Sequence, residues 1–391
     1  MIDYSKVLTQ TVCGIKPSGI RKFFDIAANM DDVISLGVGE PDFQTPWLVR
    51  KAGISSLEKG KTKYTSNQGL DTLRAEISNY IKRKCDIEYC PNGEVVVTVG
   101  GSEAIDATLR AVVNAGDEVI IPQPSYVCYE PITQLIGGVP VIIETKAEDD
   151  FKLTPEQLKN AITDKTKALI LPYPCNPTGA IMERDDLEKI AEVLRDTNIL
   201  VISDEIYSEL TFADNPHVSI AAIDGMRERT VIVNGFSKTF SMTGWRLGFA
   251  CGPAEVMQQV LKIHQFAIMC APTTSQYAAV EALRNCDDAV ESMKKEYNRR
   301  RRLMVNGFNK AGLICREPRG AFYAFPCIKS TGLTSEEFCE QLLEAKHVAV
   351  VPGTAFGKGG EGFIRASYCY STEHIIEALR RIDEFVKELK K

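Results

Sequence analysis

Long apolar runs are missing from this sequence of 391 residues, and no segment has the roughly 20 apolar residues that a membrane-spanning helix needs. The opening residues, Met1-Ile2-Asp3-Tyr4, lack the basic and then apolar pattern of a secretion signal, so a cytoplasmic location is expected. Histidine is scarce: His217, His264, His347 and His374 lie far apart, and none of the twelve cysteines forms a C-x-x-C pair. This distribution argues against a structural zinc site, and cysteines scattered from Cys13 to Cys369 are expected to be reduced. The P-loop string G-x-x-x-x-G-K-[ST] does not occur. Gly357-x-Gly359-x-x-Gly362 matches a dinucleotide fingerprint as letters, but strand-like Phe363 to Ala366 follows it instead of a helix, so a surface turn is expected. An excess of one charge is also lacking. The formal net charge is −6 without long like-charged blocks, which leaves no basis for a nucleic-acid surface or a patch for anionic membranes. The one basic run, Arg299 to Arg302, falls in an expected helix from Asp287 to Lys310 and is assigned to a solvated helix face.

What the chain does have is a large apolar content, 44%, enough for two or three domains. From residue 94 to 251, short β-rich runs alternate with amphipathic segments such as Ser102 to Asn114 and Arg184 to Asp196. The runs are Val95 to Thr98, Glu118 to Pro122, Val139 to Ile143, Ala168 to Leu171, Ile199 to Ser203, Thr230 to Asn234 and Leu247 to Cys251. They predict an α/β fold with three layers, in which helices cover both faces of a seven-stranded, mostly parallel sheet. After about residue 286 the pattern changes to a long charged helix, short strands near Ala321 to Phe325, Val348 to Val351 and Gly362 to Ala366, and a final amphipathic helix. The expected division is a large domain over 46–285, a smaller α+β domain over 286–391, and an N-terminal segment, 1–45, that packs with the smaller one. Thr45-Pro46 is expected to supply an N-cap and a first-turn proline to the next helix.

Polar residues cluster just past several of these strands. Ser237-Lys238 follows the strand ending at Asn234, with Thr243-Gly244-Trp245-Arg246 close behind, offering an amine for covalent chemistry and several donors for a phosphate. Asp204 and Tyr207 follow the most apolar strand, and Asn176-Pro177-Thr178-Gly179 follows the strand ending at Leu171. Singly, each has a bland reading as a surface charge, a helix cap or a turn. Three strands sending polar groups to one sheet edge favour a binding crevice. Thr98-Val99-Gly100-Gly101-Ser102-Glu103 adds a strand, a glycine turn and a helix start, a weak pattern alone but a suitable phosphate cradle.

With these residues the sequence resembles the class I/II aminotransferases of fold type I, which depend on pyridoxal phosphate. The resemblance runs nearly end to end through Gly37 to Phe43, Tyr64, Gly100 to Ala104, Asn176 to Gly179, Asp204 to Tyr207, Ser237-Lys238, Thr243 to Gly248 and Phe363 to Ser367. Ser18 to Phe23 and Leu171 to Pro174 make it most similar to the bacterial branch acting on aromatic or N-acetylated diaminopimelate substrates. The resemblance implies that Lys238 forms an imine with the cofactor and shuttles the substrate's Cα proton, and that Asp204 keeps the pyridine nitrogen protonated. It implies that Tyr207 and Asn176 bind the ring's phenolate oxygen and that Tyr126 stacks on the ring. Gly101, Ser102, Glu103, Ser237 and Arg246 would surround the phosphate, with Tyr64 reaching it from the partner in a homodimer. Arg365 would clamp the substrate carboxylate, Asn176 would also contact the substrate, and the Gly39 backbone would approach it.

The implied function is transfer of an amino group from an L-amino acid to a 2-oxo acid, with aromatic or N-acetyl-diaminopimelate-like substrates favoured over aspartate. Relatives that favour aspartate can carry a lysine directly after the two glycines of the phosphate loop, where this chain has Ser102; Arg21 or Lys22 could supply a cation instead. The alternatives are an aspartate aminotransferase, a carbon–sulfur β-lyase on the same fold, and an effector-sensing regulator. The last would need a DNA-binding domain, and only about 45 residues precede the large domain, without a recognisable helix-turn-helix.

Overall fold

The structure, a computed structural model, describes residues 1–17, 19, 30 and 32–389. Ahead of the main sheet, β1 (Ile34–Ser35) is a two-residue strand. The runs of Val, Ile and Leu then become β2 (Val95–Thr98), β3 (Glu118–Gln123), β4 (Val139–Glu144), β5 (Thr166–Leu171), β6 (Leu200–Asp204), β7 (Thr230–Gly235) and β8 (Gly248–Cys251). They form one sheet in the order β2-β8-β7-β6-β5-β3-β4. Only β8 runs against its neighbours; the other pairings are parallel. The central strand β7 and the edge strand β2 are buried along their length, and β5 at every residue but Lys167, as a sheet covered on both faces requires. The seven expected strands are all present, with ends displaced by at most two residues.

The helix Gly101–Val112 starts at Gly100, whose φ of +81° favours glycine, and buries Ala104, Ile105, Ala107, Thr108 and Leu109 against the sheet. On the other side of the molecule, the helix Arg184–Leu194 opens with a capping box between Glu183 and Asp186 and buries Leu187, Ile190, Ala191 and Leu194.

The smaller region is built on β9 (Tyr323–Ala324), β10 (Val348–Ala349), β11 (Val351–Pro352) and β12 (Ile364–Ser367). Three of these form the antiparallel sheet β11-β12-β9, while β1 pairs in parallel with β10. Ser367 N–H also donates to Leu36 O, so residues 34–36 are tied to the C-terminal strands. The segment Gln10–Gly14, by contrast, lies against the helix Tyr129–Leu135 of the large sheet's layer.

Three expectations need correction or refinement. The helix Asp287–Lys310 forms as expected, but its basic run is not a solvated face, because Arg300 and Arg301 are 7% and 4% exposed. Arg300 turns inward to both oxygens of Asp42 (2.9 and 2.8 Å) and to Glu296 Oε1 (2.9 Å), and Arg301 donates to Pro318 O (2.9 Å). At 100° per residue four consecutive arginines cannot share one face, so two of them meet the core. Thr45 does not cap the next helix, which begins at Trp47 with Pro46 at the cap position; its hydroxyl donates to Ser241 O (2.5 Å) and accepts from Trp245 Nε1 (3.1 Å). The Gly357–Gly362 segment is a turn, yet its second half is packed inside: a Cβ on Gly360 would lie 2.0 Å from Gly353 O. Among the described residues no helix is long and apolar enough to cross a membrane, and no group of three metal-ligating side chains occurs.

Candidate active site

A cavity of about 290 Å³ opens at the carboxyl ends of the parallel strands, where the turns after β2, β3, β5, β6 and β7 meet. The turn after β2 presents Gly100, Gly101 and Ser102; that after β3 presents Tyr126; that after β5 presents Asn176; β6 ends in Asp204 with Tyr207 beyond; β7 leads to Ser237 and Lys238. Thr243 and Arg246 arrive just ahead of β8, and Arg365 reaches in from β12 together with the Gly39 backbone. A larger cavity of about 570 Å³ lies elsewhere, lined by Arg301, Arg302, Arg316 and Arg319, and shares none of these residues.

Lys238 Nζ donates to Gly39 O at 2.7 Å and lies 5.7 Å from the Phe322 ring. Loss of hydration, helped by the positive charges of Arg365 and Arg246, makes its amine less basic than an ordinary lysine. Asp204 is buried at the end of β6, and loss of hydration raises its carboxyl to about 6, against the hydrogen bonds from Tyr129 Oη (2.7 Å) and Ile206 N–H (3.2 Å). The next side chain along the chain, Glu205, is bonded instead to Ser203 Oγ (2.8 Å), Ser219 Oγ (2.6 Å) and His217 Nε2 (3.0 Å). Tyr207 Oη lies 3.0 Å from Tyr323 Oη.

Arg365 is 2% exposed. It donates from Nη1 to Asn176 Oδ1 (2.9 Å) and from Nη2 to Gly37 O (2.5 Å), while its Nε has no partner among the described residues. Its guanidinium sits 4.4 Å from the Tyr323 ring and 4.7 Å from the Phe356 ring. The bond from Arg365 settles the orientation of the Asn176 amide and leaves its NH₂ free to donate. The glycine turn is compact because backbone and guanidinium press on it. A Cβ on Gly248 would come within 2.6 Å of Gly100 C and 2.8 Å of Gly101 N, and one on Gly100 would be 3.0 Å from Arg246 Nη2.

Most of the residues singled out from sequence thus line one cavity. Two do not. Glu103 directs its carboxylate away, accepting from Val99 N–H and meeting His264 Nδ1 at 2.5 Å, so it can offer the cavity only its backbone. Tyr64 is 80% exposed and outside the cavity. Arg21 and Lys22 lie outside the described residues. The sequence reading missed Tyr129, which holds Asp204, Tyr323, which links Tyr207 to Arg365, and the carbonyl of Gly37. Tyr129 opens the helix Tyr129–Leu135, three residues after Tyr126, and that closeness in sequence was its only signal.

Comparison with known proteins decides among the chemistries that such a site permits. The pattern defining "Aminotransferase class I and II" matches residues 31–382. The chain belongs to the class I and II aminotransferases. This aminotransferase is 54% identical to "Putative aminotransferase YugH" of Bacillus subtilis, over 97% of this chain and 98% of that protein. It is 48% identical to "Aspartate aminotransferase" of Pyrococcus abyssi (96% and 97% covered) and 45% identical to "Probable N-acetyl-LL-diaminopimelate aminotransferase" of B. subtilis (95% and 94%). Among solved structures, the aromatic aminotransferase from Pyrococcus horikoshii superposes with a TM-score of 0.90 at 46% identity, covering 95% of this chain and 99% of that one. The family is generally pyridoxal-phosphate-dependent, its members act on amino and oxo acids, and they are generally dimers.

Proposed function

We infer that this aminotransferase uses pyridoxal 5′-phosphate to move an amino group from an L-amino acid to a 2-oxo acid, with aromatic or N-acetyl-diaminopimelate-like donors preferred to aspartate. The observation that carries the reading is the convergence of a half-buried amine (Lys238), a buried acid (Asp204) and a buried guanidinium (Arg365) that has no carboxylate partner among the described residues, all on one cavity. The residues fit the cofactor. The Gly100–Gly101 turn under Arg246, with the Ser102 and Ser237 hydroxyls, suits a phosphate; the Glu103 N–H belongs to the same helix start. Asp204 suits a protonated ring nitrogen, and Tyr207 with the Asn176 NH₂ suits the ring's phenolate oxygen. Tyr126 offers a ring face.

When bound, the cofactor supplies a carbon that takes an amine covalently and a pyridine ring that accepts the electrons of the substrate's Cα–H bond. Arg365 binds the α-carboxylate and so orients Cα. Lys238 Nζ, kept less basic by burial, removes the proton from Cα; a free base near neutral pH is what this step needs. Asp204, once ionised opposite a cationic ring nitrogen, holds the proton there. Tyr64 completes the phosphate site from the second copy of a homodimer, a role that its exposure on the single chain supports.

The preference over aspartate rests on the cations lining the cavity. Among the described residues these are Lys238, Arg246 and Arg365, and each already has a task, so none remains for a second carboxylate. The name of the P. abyssi relative supports the competing reading, an aspartate donor. The test is single-turnover loss of the enzyme-bound cofactor absorbance with a panel of amino acids, followed by turnover with and without a 2-oxo acid. Turnover that needs no oxo acid would make the protein a lyase, and a kcat/KM for aspartate above those for phenylalanine, tyrosine and N-acetyl-diaminopimelate would establish the competing reading.

A further inference from the structure

His264 is fully buried on the helix Ala254–Ala267, which packs along the helix Gly101–Val112. Its Nδ1 meets Glu103 Oε1 at 2.5 Å, and since a carboxylate can only accept, Nδ1 carries the hydrogen. Its Nε2 is buried and has no partner among the described residues. An unpaired polar atom in a core is costly, and an apolar side chain of similar size would fill the same space without that cost. The ring is therefore poorly explained by packing, and its one interaction lies on the route to the phosphate cradle. The other oxygen of Glu103 accepts the N–H of Val99, the residue that leads β2 into Gly100 and Gly101.

The turn that Glu103 holds has little else to fix it from the helix side. Gly100 has a φ of +81°, with Arg246 Nη2 against one face and the backbone of Gly248 pressing on the Gly100–Gly101 peptide. Thr98 Oγ1 donates to Gly100 O at 2.9 Å from the strand side. Glu103 supplies the remaining restraint, and it can do so only while its carboxylate is itself held. We propose that His264 is a positioning residue for the cofactor's phosphate: through Glu103 and Val99 it fixes the turn whose N–H groups receive that phosphate. This rests on the pyridoxal-phosphate reading given above.

The test compares His264→Leu, which fills the space but donates nothing, with His264→Asn, whose amide NH₂ falls where Nδ1 was. Holoenzymes are stripped, and the dissociation constants of pyridoxal 5′-phosphate and of pyridoxal, which lacks the phosphate, are measured by absorbance without turnover. In His264→Leu the constant for pyridoxal phosphate should rise about tenfold, the worth of one ordinary hydrogen bond, while that for pyridoxal stays within about twofold. His264→Asn should recover most of the phosphate-dependent affinity although it is the less stable protein, since a buried amide in a smaller side chain leaves a void. A packing role predicts the opposite order, with Asn worse in both respects. The proposal is overturned if His264→Leu binds pyridoxal phosphate as the wild type does, if both ligands weaken equally, or if Asn gives no recovery. If His264→Leu does not fold, His264→Phe carries the same comparison. A wild type that fails to prefer pyridoxal phosphate over pyridoxal would overturn the cofactor reading itself, an outcome visible before any variant is made.

Discussion

Asp204→Asn should make the cofactor-free protein more stable and the working enzyme slower, and the first effect can be sized from the structure. Burial lifts the Asp204 carboxyl from 3.8 to about 6. Between those values the folded state keeps a proton that the unfolded chain gives up, so wild-type stability falls as pH rises; above about 6 the whole penalty is present. A shift of about two units corresponds to about 3 kcal/mol. Asparagine has no such titration and can still serve both neighbours, accepting from Ile206 N–H and donating to Tyr129 Oη. For 391 residues the entropy of unfolding is about 0.8 kcal/mol/K, so the gain at pH 8 should be about 4 °C in Tm and should vanish near pH 4. Calorimetry of both stripped proteins from pH 4 to 8 measures this. With cofactor bound the order reverses, because asparagine brings no charge to the ring nitrogen, and Cα deprotonation in single-turnover experiments slows severely. A Tm difference independent of pH, or a variant that removes the Cα proton at the wild-type rate, would refute the reasoning.

Lys238→Ala should bind cofactor noncovalently yet lose turnover by at least a hundred- to ten-thousand-fold, roughly the worth of the proton transfer alone; near-normal steady-state activity would remove Lys238 from the chemistry. Arg365→Ala should weaken every α-amino acid by about 1.5 to 3 kcal/mol, the worth of a charged hydrogen bond, whatever the side chain. A loss confined to acidic donors in the same kcat/KM series would move Arg365 to a side-chain pocket. Tyr129→Phe removes the donor that holds the Asp204 carboxyl down, so in the stripped protein the fall of stability, still beginning near pH 4, should continue to a pH above 6. An unchanged pH profile of Tm would contradict that role for the Tyr129 hydroxyl.

The strands were legible in the sequence because their signal is local: runs such as Leu200-Val201-Ile202 between amphipathic segments need no knowledge of their neighbours. The long helix Asp287–Lys310 was legible for the same reason. Much of the site followed, since the residue after a parallel strand is delivered to the sheet's carboxyl edge wherever that strand sits in the order. The unread part depends on pairings the sequence does not state. Tyr323 reaches Tyr207 because β9 pairs with β12 in a register that sets Ser367 opposite Tyr323, and Gly37 O reaches Arg365 because residues 34–36 are tied to Ala349 and Ser367. Glu103 fell within a phosphate-loop pattern, yet its carboxylate belongs to His264 and Val99, a contact spanning 161 positions in the His264 case.

Two arginines show how function can be told from structure when residue type and burial are the same. Arg300 and Arg365 are 7% and 2% exposed, and each guanidinium lies near two aromatic rings, those of Phe43 and Tyr297 for Arg300 and of Tyr323 and Phe356 for Arg365. Arg300 is matched by Asp42 and Glu296, so its charge is balanced by the fold itself. Among the described residues, Arg365 has only a neutral carbonyl and a neutral amide oxygen as partners, its Nε is unpaired, and no carboxylate lies within ion-pair distance. A buried charge without a counter-charge costs several kcal/mol, a cost that folding alone has no reason to carry. An anion entering the cavity beside Arg365 offsets it, and does so with little reorganisation because the Asn176 amide, the Gly37 carbonyl and the two rings already hold the guanidinium in place. In the proposed reaction, the same fixed geometry that leaves Arg365 unbalanced in the free protein orients a substrate carboxylate, and with it the Cα proton assigned to Lys238.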